Sequence, residues 1–83
     1  MTRKFEKLQR RFHTLSQSHE PVTVEQYTAY FEAATMGNIA VGQTRYQLDT
    51  GEPVQRLSET EFRAPISKLD LRSEEPIMED FDL

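Results

Sequence analysis

The sequence contains no cysteine, which excludes disulfides, thiol nucleophiles and thiolate metal ligands. Small secreted domains are commonly held together by disulfides, because a short chain cannot bury a large core. A cysteine-free chain of 83 residues therefore favours a reducing compartment, and we expect the protein to be cytoplasmic.

Long apolar runs are also missing. No stretch approaches the roughly 18 apolar residues of a membrane-spanning helix, and no apolar signal core follows the charged segment Met1–Lys7. The net charge of −4 disfavours bulk attraction to nucleic acid and to anionic lipid. We therefore expect no membrane association, and we rank nucleic acid below protein as a partner.

The residue types that usually build reaction centres are few. The three glycines, Gly37, Gly42 and Gly51, are too scattered for a phosphate-binding loop. His13 and His19 are six residues apart and would not share a helix face, and no serine lies in a Gly-x-Ser-x-Gly turn. We expect no catalytic residue, no metal site and no cofactor, and hence a protein that is not an enzyme.

The remaining patterns indicate one small domain, residues 1–73, followed by an acidic and apolar tail, residues 74–83. Four apolar residues near the start recur with helical spacing: Phe5, Leu8, Phe12 and Leu15. This spacing predicts a first helix over residues 3–17, which ends before Pro21.

A second helix is predicted over residues 24–36. Thr23 and Gln26 fit a capping box, in which both side chains bond backbone N–H groups at the helix start. The apolar stripe that follows consists of Val24, Tyr27, Tyr30, Phe31 and Ala34. Gly37 or Asn38 would then end the helix in the left-handed conformation.

The pattern changes to a period of two after Gly37, which indicates β-strands. Three strands are predicted over residues 39–48, 53–57 and 61–64, with turns at 49–52 and 58–60. Residues 66–72 are a candidate fourth strand, a point that the pattern leaves open. The inner face of this sheet would hold Tyr46, Leu48, Val54 and Phe62, with Ile66 as a further candidate.

These elements predict an α+β fold, with two N-terminal helices packed on one face of a three- or four-stranded antiparallel β-meander. Phe31 of the second helix and Phe62 of the third strand would meet in the core. The apolar stripe of the first helix exceeds what a thin sheet covers, so we also expect self-association as a symmetric homodimer.

Basic side chains form two candidate surfaces for an anionic ligand. The predicted first helix presents Lys4, Lys7, Arg10 and Arg11, and the outer face of the predicted sheet presents Arg45 and Arg63. A solvated helix face and cross-strand pairing with acids are the alternative interpretations. Association with nucleic acid through the basic helix is the second functional hypothesis.

The tail is the third candidate surface, because five acids alternate there with large apolar residues. Such mixtures commonly stay disordered until a basic, apolar groove binds them. From Glu75 to Leu83 the tail resembles the acidic C-terminal tip of bacterial single-stranded-DNA-binding proteins, although it ends in Leu rather than Pro-Phe. The partner-binding residues would be Ile77, Met78, Asp80, Phe81, Asp82 and Leu83. The alternative is that these side chains dock on the parent domain.

We therefore predict a non-enzymatic protein–protein interaction or regulatory module, whose partner the sequence does not identify.

Overall fold

The computed structural model describes residues 2–33 and 39–79, and this part of the chain is all-β. Six antiparallel strands follow one another around a closed barrel in sequence order. They are β1 (Thr2–Ser16), β2 (Pro21–Ala33), β3 (Ile39–Leu48), β4 (Pro53–Arg56), β5 (Glu61–Ala64) and β6 (Leu69–Ser73). The pairing of β6 with residues 14–16 of β1 closes the barrel.

The predicted α+β fold is wrong, because the described residues contain no helix and both predicted helices are strands. β1 and β2 form a long antiparallel hairpin that runs from Thr2 opposite Ala33 to Leu15 opposite Pro21. A bulge between Leu8 and Arg10 shifts the alternation of β1 by one residue. It therefore places Phe5 and Phe12, seven residues apart, on the same face of a strand.

The second predicted helix fails for a related reason. Seven of the ten residues from Val22 to Phe31 are β-branched or aromatic, which favours a strand over a helix. The backbone N–H and C=O groups of β2 form hydrogen bonds with the neighbouring strands β1 and β3. In a helix the same groups would have bonded to each other within the segment. Ala34, Gly37 and Asn38 lie outside the described residues.

The three strands predicted after residue 38 are confirmed as β3, β4 and β5, and the candidate fourth strand is β6.

The barrel core consists of Val24, Tyr46, Leu48, Val54, Phe62, Ala64, Leu71 and Ile77, with Phe12 packed against it. The ring centroid of Phe62 lies 5.2 Å from that of Phe12 and 5.3 Å from that of Tyr46. Ile66, by contrast, is 69% exposed in the turn before β6.

The predicted contact between Phe31 and Phe62 is also wrong. Phe62 is 1% exposed inside the barrel, whereas Phe31 is 37% exposed. Phe31 lies opposite Ala40 and Lys4, on the face of the sheet that does not continue into the barrel interior. A helix would have turned Tyr27, Tyr30 and Phe31 toward one core, whereas the strand places Tyr30 on one face and Tyr27 and Phe31 on the other.

Strands β1, β2 and β3 are much longer than the barrel, so the molecule measures 50 × 23 × 17 Å. The turns at residues 17–20, 49–52 and 65–68 lie at one end of the barrel, and the β4–β5 turn lies at the other. Side-chain bonds of Gln17 to the backbone of Lys68 and Asp70 join two of the three turns. No helix with the length and hydropathy to cross a membrane occurs in residues 2–33 and 39–79.

Candidate binding surface

The extensions of β1, β2 and β3 beyond the barrel form a three-stranded sheet, residues 2–9, 27–33 and 39–45, which we call the β-arm. Along β1 only residues 14–16 pair with β6, and along β3 only residues 46 and 47 pair with β4. Both long edges of the β-arm therefore lack a strand partner within the described part of the chain. The N–H and C=O groups of such an edge can pair with an added strand.

One face of the β-arm, the outer face, continues the outside of the barrel and carries a network around Arg45. The Arg45 guanidinium donates to both carboxylate oxygens of Glu6, at 2.7 and 3.1 Å, and to Gln47 Oε1 at 2.7 Å. It also lies 4.6 Å from the ring centroid of Tyr27. The bond from Arg45 lowers the pKa of Glu6, and the same bond raises the pKa of Arg45. An anionic ligand at Arg45 would have to displace Glu6.

The network continues at the base of the β-arm around Glu25, which is buried. Its carboxylate accepts hydrogen bonds from Gln47 Nε2 at 3.0 Å, Arg11 Nε at 2.9 Å and the Tyr27 hydroxyl at 3.3 Å. The bond from Gln47 contributes most to the lowered pKa of Glu25, and the hydrogen bond and charge of Arg11 lower it further. Arg11 is therefore used in holding β1 to β2.

The opposite face, the inner face, is continuous with the barrel interior. Phe5 and Tyr30 stack there with ring centroids 5.5 Å apart and an interplanar angle of 19°. Gln9 donates to the Tyr30 hydroxyl, and Arg3 lies 5.6 Å from the Phe5 ring and 3.5 Å from the Glu32 carboxylate. These contacts hold the aromatic pair against the sheet. The stacked faces of Phe5 and Tyr30 are therefore occupied within the chain.

The six predicted anion-contact residues do not form one site. Lys7 and Arg10 lie on the inner face, whereas Lys4 and Arg11 lie on the outer face. The predicted basic helix face is wrong because successive side chains of a strand point to opposite sides. Arg63 is on the barrel, where it bonds Asp70 at 3.1 Å. Lys4 and Lys7 are exposed and form no ion pair among the described residues.

The described part of the tail, residues 74–79, covers the end of the barrel next to the β-arm. The Ile77 N–H donates to the carbonyl of Glu59 at 2.7 Å, and its side chain is 5% exposed in the core. Arg56 donates to the Ile77 carbonyl at 3.1 Å, and Arg10 donates to the Met78 carbonyl at 3.3 Å. Ile77 is thus part of the domain and is not available to a partner.

The other predicted tail residues have different positions. Met78 is exposed at the surface of the barrel. Asp80, Phe81, Asp82 and Leu83 lie outside the described residues. Ile77 therefore does not belong to a partner-binding segment of the tail. For the last four residues of the tail, 80–83, partner binding stays a prediction.

Two uncharged polar residues of β2 are buried, and one of them, Gln26, was predicted to cap a helix that does not form. Gln26 and Thr28 are both 0% exposed, and the Gln26 amide and Thr28 hydroxyl have no hydrogen-bond partner among the described residues. They share the inner face of β2 with Val22 and Val24, at the junction of barrel and β-arm. A period of two from Val22 onward puts both residues on the same face as Val22 and Val24, and this period is the signal in the sequence for their burial.

Charge is divided between the two parts of the molecule. The β-arm carries four Lys and Arg residues against two Glu residues. The remaining described residues carry six Lys and Arg against ten Asp and Glu. A basic β-arm therefore projects from an acidic barrel, and this separation favours binding of the β-arm to acidic surfaces.

Two clefts of about 410 and 400 Å³ flank the seam between β1 and β6. Both are bordered by Leu15, Arg72, Ser73 and Glu74. Nη2 of Arg72 lies 4.0 Å from Oε1 of Glu61, so Arg72 forms an ion pair within the chain. In the described residues no group of three or more His, Cys, Asp or Glu side chains is placed to hold a metal ion.

Comparison with protein-family models, with curated proteins and with solved structures found no match to this chain.

Proposed function

We propose that this chain is a non-enzymatic protein-interaction module that binds an extended, acidic segment of a partner along the β1 edge of the β-arm. The observation that carries this proposal is the unpaired edge of β1, with exposed Lys4 and Lys7 beside it. We place this activity in the cytoplasm, as expected for a cysteine-free chain.

The physical basis is β-strand addition. A partner segment in extended conformation would bond the N–H and C=O groups of β1, which supplies affinity without sequence preference. Lys4 on the outer face and Lys7 on the inner face would flank both sides of the added strand. Because opposite charges on neighbouring strands attract, an acidic segment would be favoured over a neutral or basic one.

Binding of nucleic acid is the second candidate, and it is favoured by Lys7 and Arg10, which share the inner face of β1 with half-buried Phe5. Single-stranded nucleic acid needs free aromatic surfaces on which bases stack. Phe5 is already stacked on Tyr30, and Arg3 is paired with Glu32. These internal contacts and the acidic barrel make the protein partner the better-supported proposal.

The test is affinity capture from cell lysate with three forms of the protein. Lys4→Glu combined with Lys7→Glu reverses the charge of the β1 edge. Lys68→Glu combined with Arg72→Glu is the matched control, with the same change of charge at exposed barrel positions. We expect the wild type to capture a protein partner from lysate that has been treated with nuclease. The β-arm variant should no longer capture this partner, whereas the control variant should.

Two results would contradict the proposal. Equal capture by both variants would place the binding surface outside the β1 edge. Loss of all binding after nuclease treatment, with affinity that falls steeply as salt rises, would favour nucleic acid, because phosphate contacts release counterions.

A further inference from the structure

We propose that two copies of this chain pair through the β3 edge of the β-arm, antiparallel and about a two-fold axis. The tip of each basic β-arm then lies beside the start of the acidic barrel of the other copy. This interface uses the edge opposite to the one in the proposed function, so it does not depend on that function.

The β3 edge differs from the β1 edge in charge. Residues 39–44, Ile-Ala-Val-Gly-Gln-Thr, carry no charged side chain. Ile39 is 46% exposed, and Ala40 and Gln43 are also exposed. Natural proteins usually protect an exposed sheet edge from pairing with charged residues, lysine above all. Both edges contain a β-bulge, in residues 8–10 of β1 and in residues 41–44 of β3. Lys4 and Lys7 additionally protect β1 against any added strand that is not acidic, whereas residues 39–44 of β3 have no such charge.

The symmetry of a two-fold interface selects between the two edges. In an antiparallel pairing about a two-fold axis, each side chain meets side chains of the same strand from the other copy. Pairing through β1 would bring Lys and Arg residues close to their counterparts, and like charges on directly opposed residues are destabilising. Pairing through β3 opposes only uncharged residues over 39–44. The first charged residue beyond them, Arg45, is neutralised by Glu6 of its own chain.

Antiparallel pairing also brings unlike charges together. The free β3 edge, residues 39–45, spans roughly 20 Å at the rise of a β-strand. With the two strands antiparallel, the tip of each β-arm reaches the level at which the partner copy's barrel begins. The β-arm has an excess of two basic residues, and the other described residues have an excess of four acidic ones. The arrangement therefore lowers the repulsion that two like-charged chains would otherwise experience.

Two single substitutions test the interface, one on the β3 edge and one on the barrel. Gln43→Lys puts a charge on the β3 edge at an exposed position, and the two-fold axis introduces that charge twice. Gln55→Lys, exposed on β4, is the matched control. By sedimentation equilibrium we expect the wild type to dimerise below about 100 µM and Gln43→Lys to raise the dissociation constant at least about tenfold. Gln55→Lys should behave as the wild type does.

Cross-linking identifies the edge directly, because the chain has no cysteine of its own. Single cysteines at Ala40, Val41 and Gln43 should include one that forms a reducible dimer on mild oxidation. Cysteines at Lys4 and Glu6, on β1, should remain monomeric. Ala40→Lys provides a second edge variant if Gln43→Lys shows an altered thermal melt.

Three outcomes would overturn this inference: a monomeric wild type at about 100 µM, a Gln43→Lys dimer as tight as the wild type, or cross-links only through β1. The result is independent of the proposed function, because capture of an acidic partner by the β1 edge should persist in the Gln43→Lys variant. Loss of that capture in Lys4→Glu/Lys7→Glu should likewise leave the dimer intact.

Discussion

The hydroxyl of Tyr46 donates a hydrogen bond to Oε1 of Glu79 at 2.6 Å, and this bond ties β3 to the tail across the end of the barrel. The Tyr46 side chain is buried, and its ring packs against Phe62. Burial, and then the hydrogen bond and charge of Glu79, raise the pKa of Tyr46 far above its ordinary value. The hydroxyl therefore remains protonated, and a donor, throughout the neutral range.

Replacement of Tyr46 by Phe should keep the ring packing and remove only this bond. We expect a loss of about 1 kcal/mol in the free energy of unfolding at pH 7, the usual size for one hydrogen bond. Because the pKa of Tyr46 is raised by folding, its contribution is complete below about pH 10, where unfolded tyrosine ionises, and falls above it. Urea unfolding from pH 7 to 11 should show the two proteins converging at high pH. A constant difference would contradict the assignment.

Replacement of Gln26 by Met should stabilise the barrel. The Gln26 amide is fully buried without a partner among the described residues, and methionine has a similar length without the polar amide. Removing a buried unsatisfied group recovers its desolvation cost, about 1–3 kcal/mol. The same substitution at exposed Gln55 is the control and should change stability by less than about 0.5 kcal/mol. A less stable Gln26→Met protein would show that the amide has a bonding partner in solution.

Phe62 and Phe31 should differ sharply in their contributions to stability. Phe62 is 1% exposed among core residues, so Phe62→Ala should cost about 3–5 kcal/mol. Phe31 is 37% exposed and should cost much less, because its removal leaves no enclosed cavity. Thermal and urea unfolding would measure both effects. Equal losses would contradict the placement of Phe31 outside the barrel core.

Gly42 and Phe31 should be coupled. A Cβ atom built at Gly42 would lie 2.5 Å from Cε2 of Phe31, so the glycine leaves the space that the ring occupies. We expect Gly42→Ala to cost about 1 kcal/mol in the wild type because the ring must move. In a Phe31→Ala background the ring is gone and only the Ala29 carbonyl oxygen, 3.3 Å from that Cβ, remains close, so the same change should cost clearly less. A double-mutant cycle measures the coupling, and simple additivity of the two substitutions would exclude it.

Some of this fold could be predicted from local patterns. Strands β3, β4 and β5 alternate apolar and polar residues and are bounded by Gly51, Pro53 and Pro65, so both period and limits are encoded within a few residues. Four of the expected inner-face residues, Tyr46, Leu48, Val54 and Phe62, are buried. The prediction for Ile66 is wrong because this residue lies in a turn, where the alternation of a strand no longer determines which way a side chain points.

The N-terminal half could not be predicted in this way. The spacing of Phe5, Leu8 and Phe12 fits a helix. In β1 the bulge after Leu8 places Phe5 and Phe12 on the inner face and leaves Leu8 exposed on the outer face, and this bulge exists only because β1 pairs with β2. The abundance of β-branched and aromatic residues in β2 was the available signal, but propensity is weaker than packing in deciding between the two states.

The sequence by itself determined the local period of β3 to β5, the positions of their turns and the separation of a basic start from an acidic remainder. Only the tertiary structure decided that Ser73 pairs with Thr14 to close a barrel, that Ile77 fills its end and that β1 and β3 keep free edges beyond it. Each of these depends on residues far apart in the chain. Such pairings are selected by shared burial and backbone hydrogen bonding between strands, which no local pattern specifies.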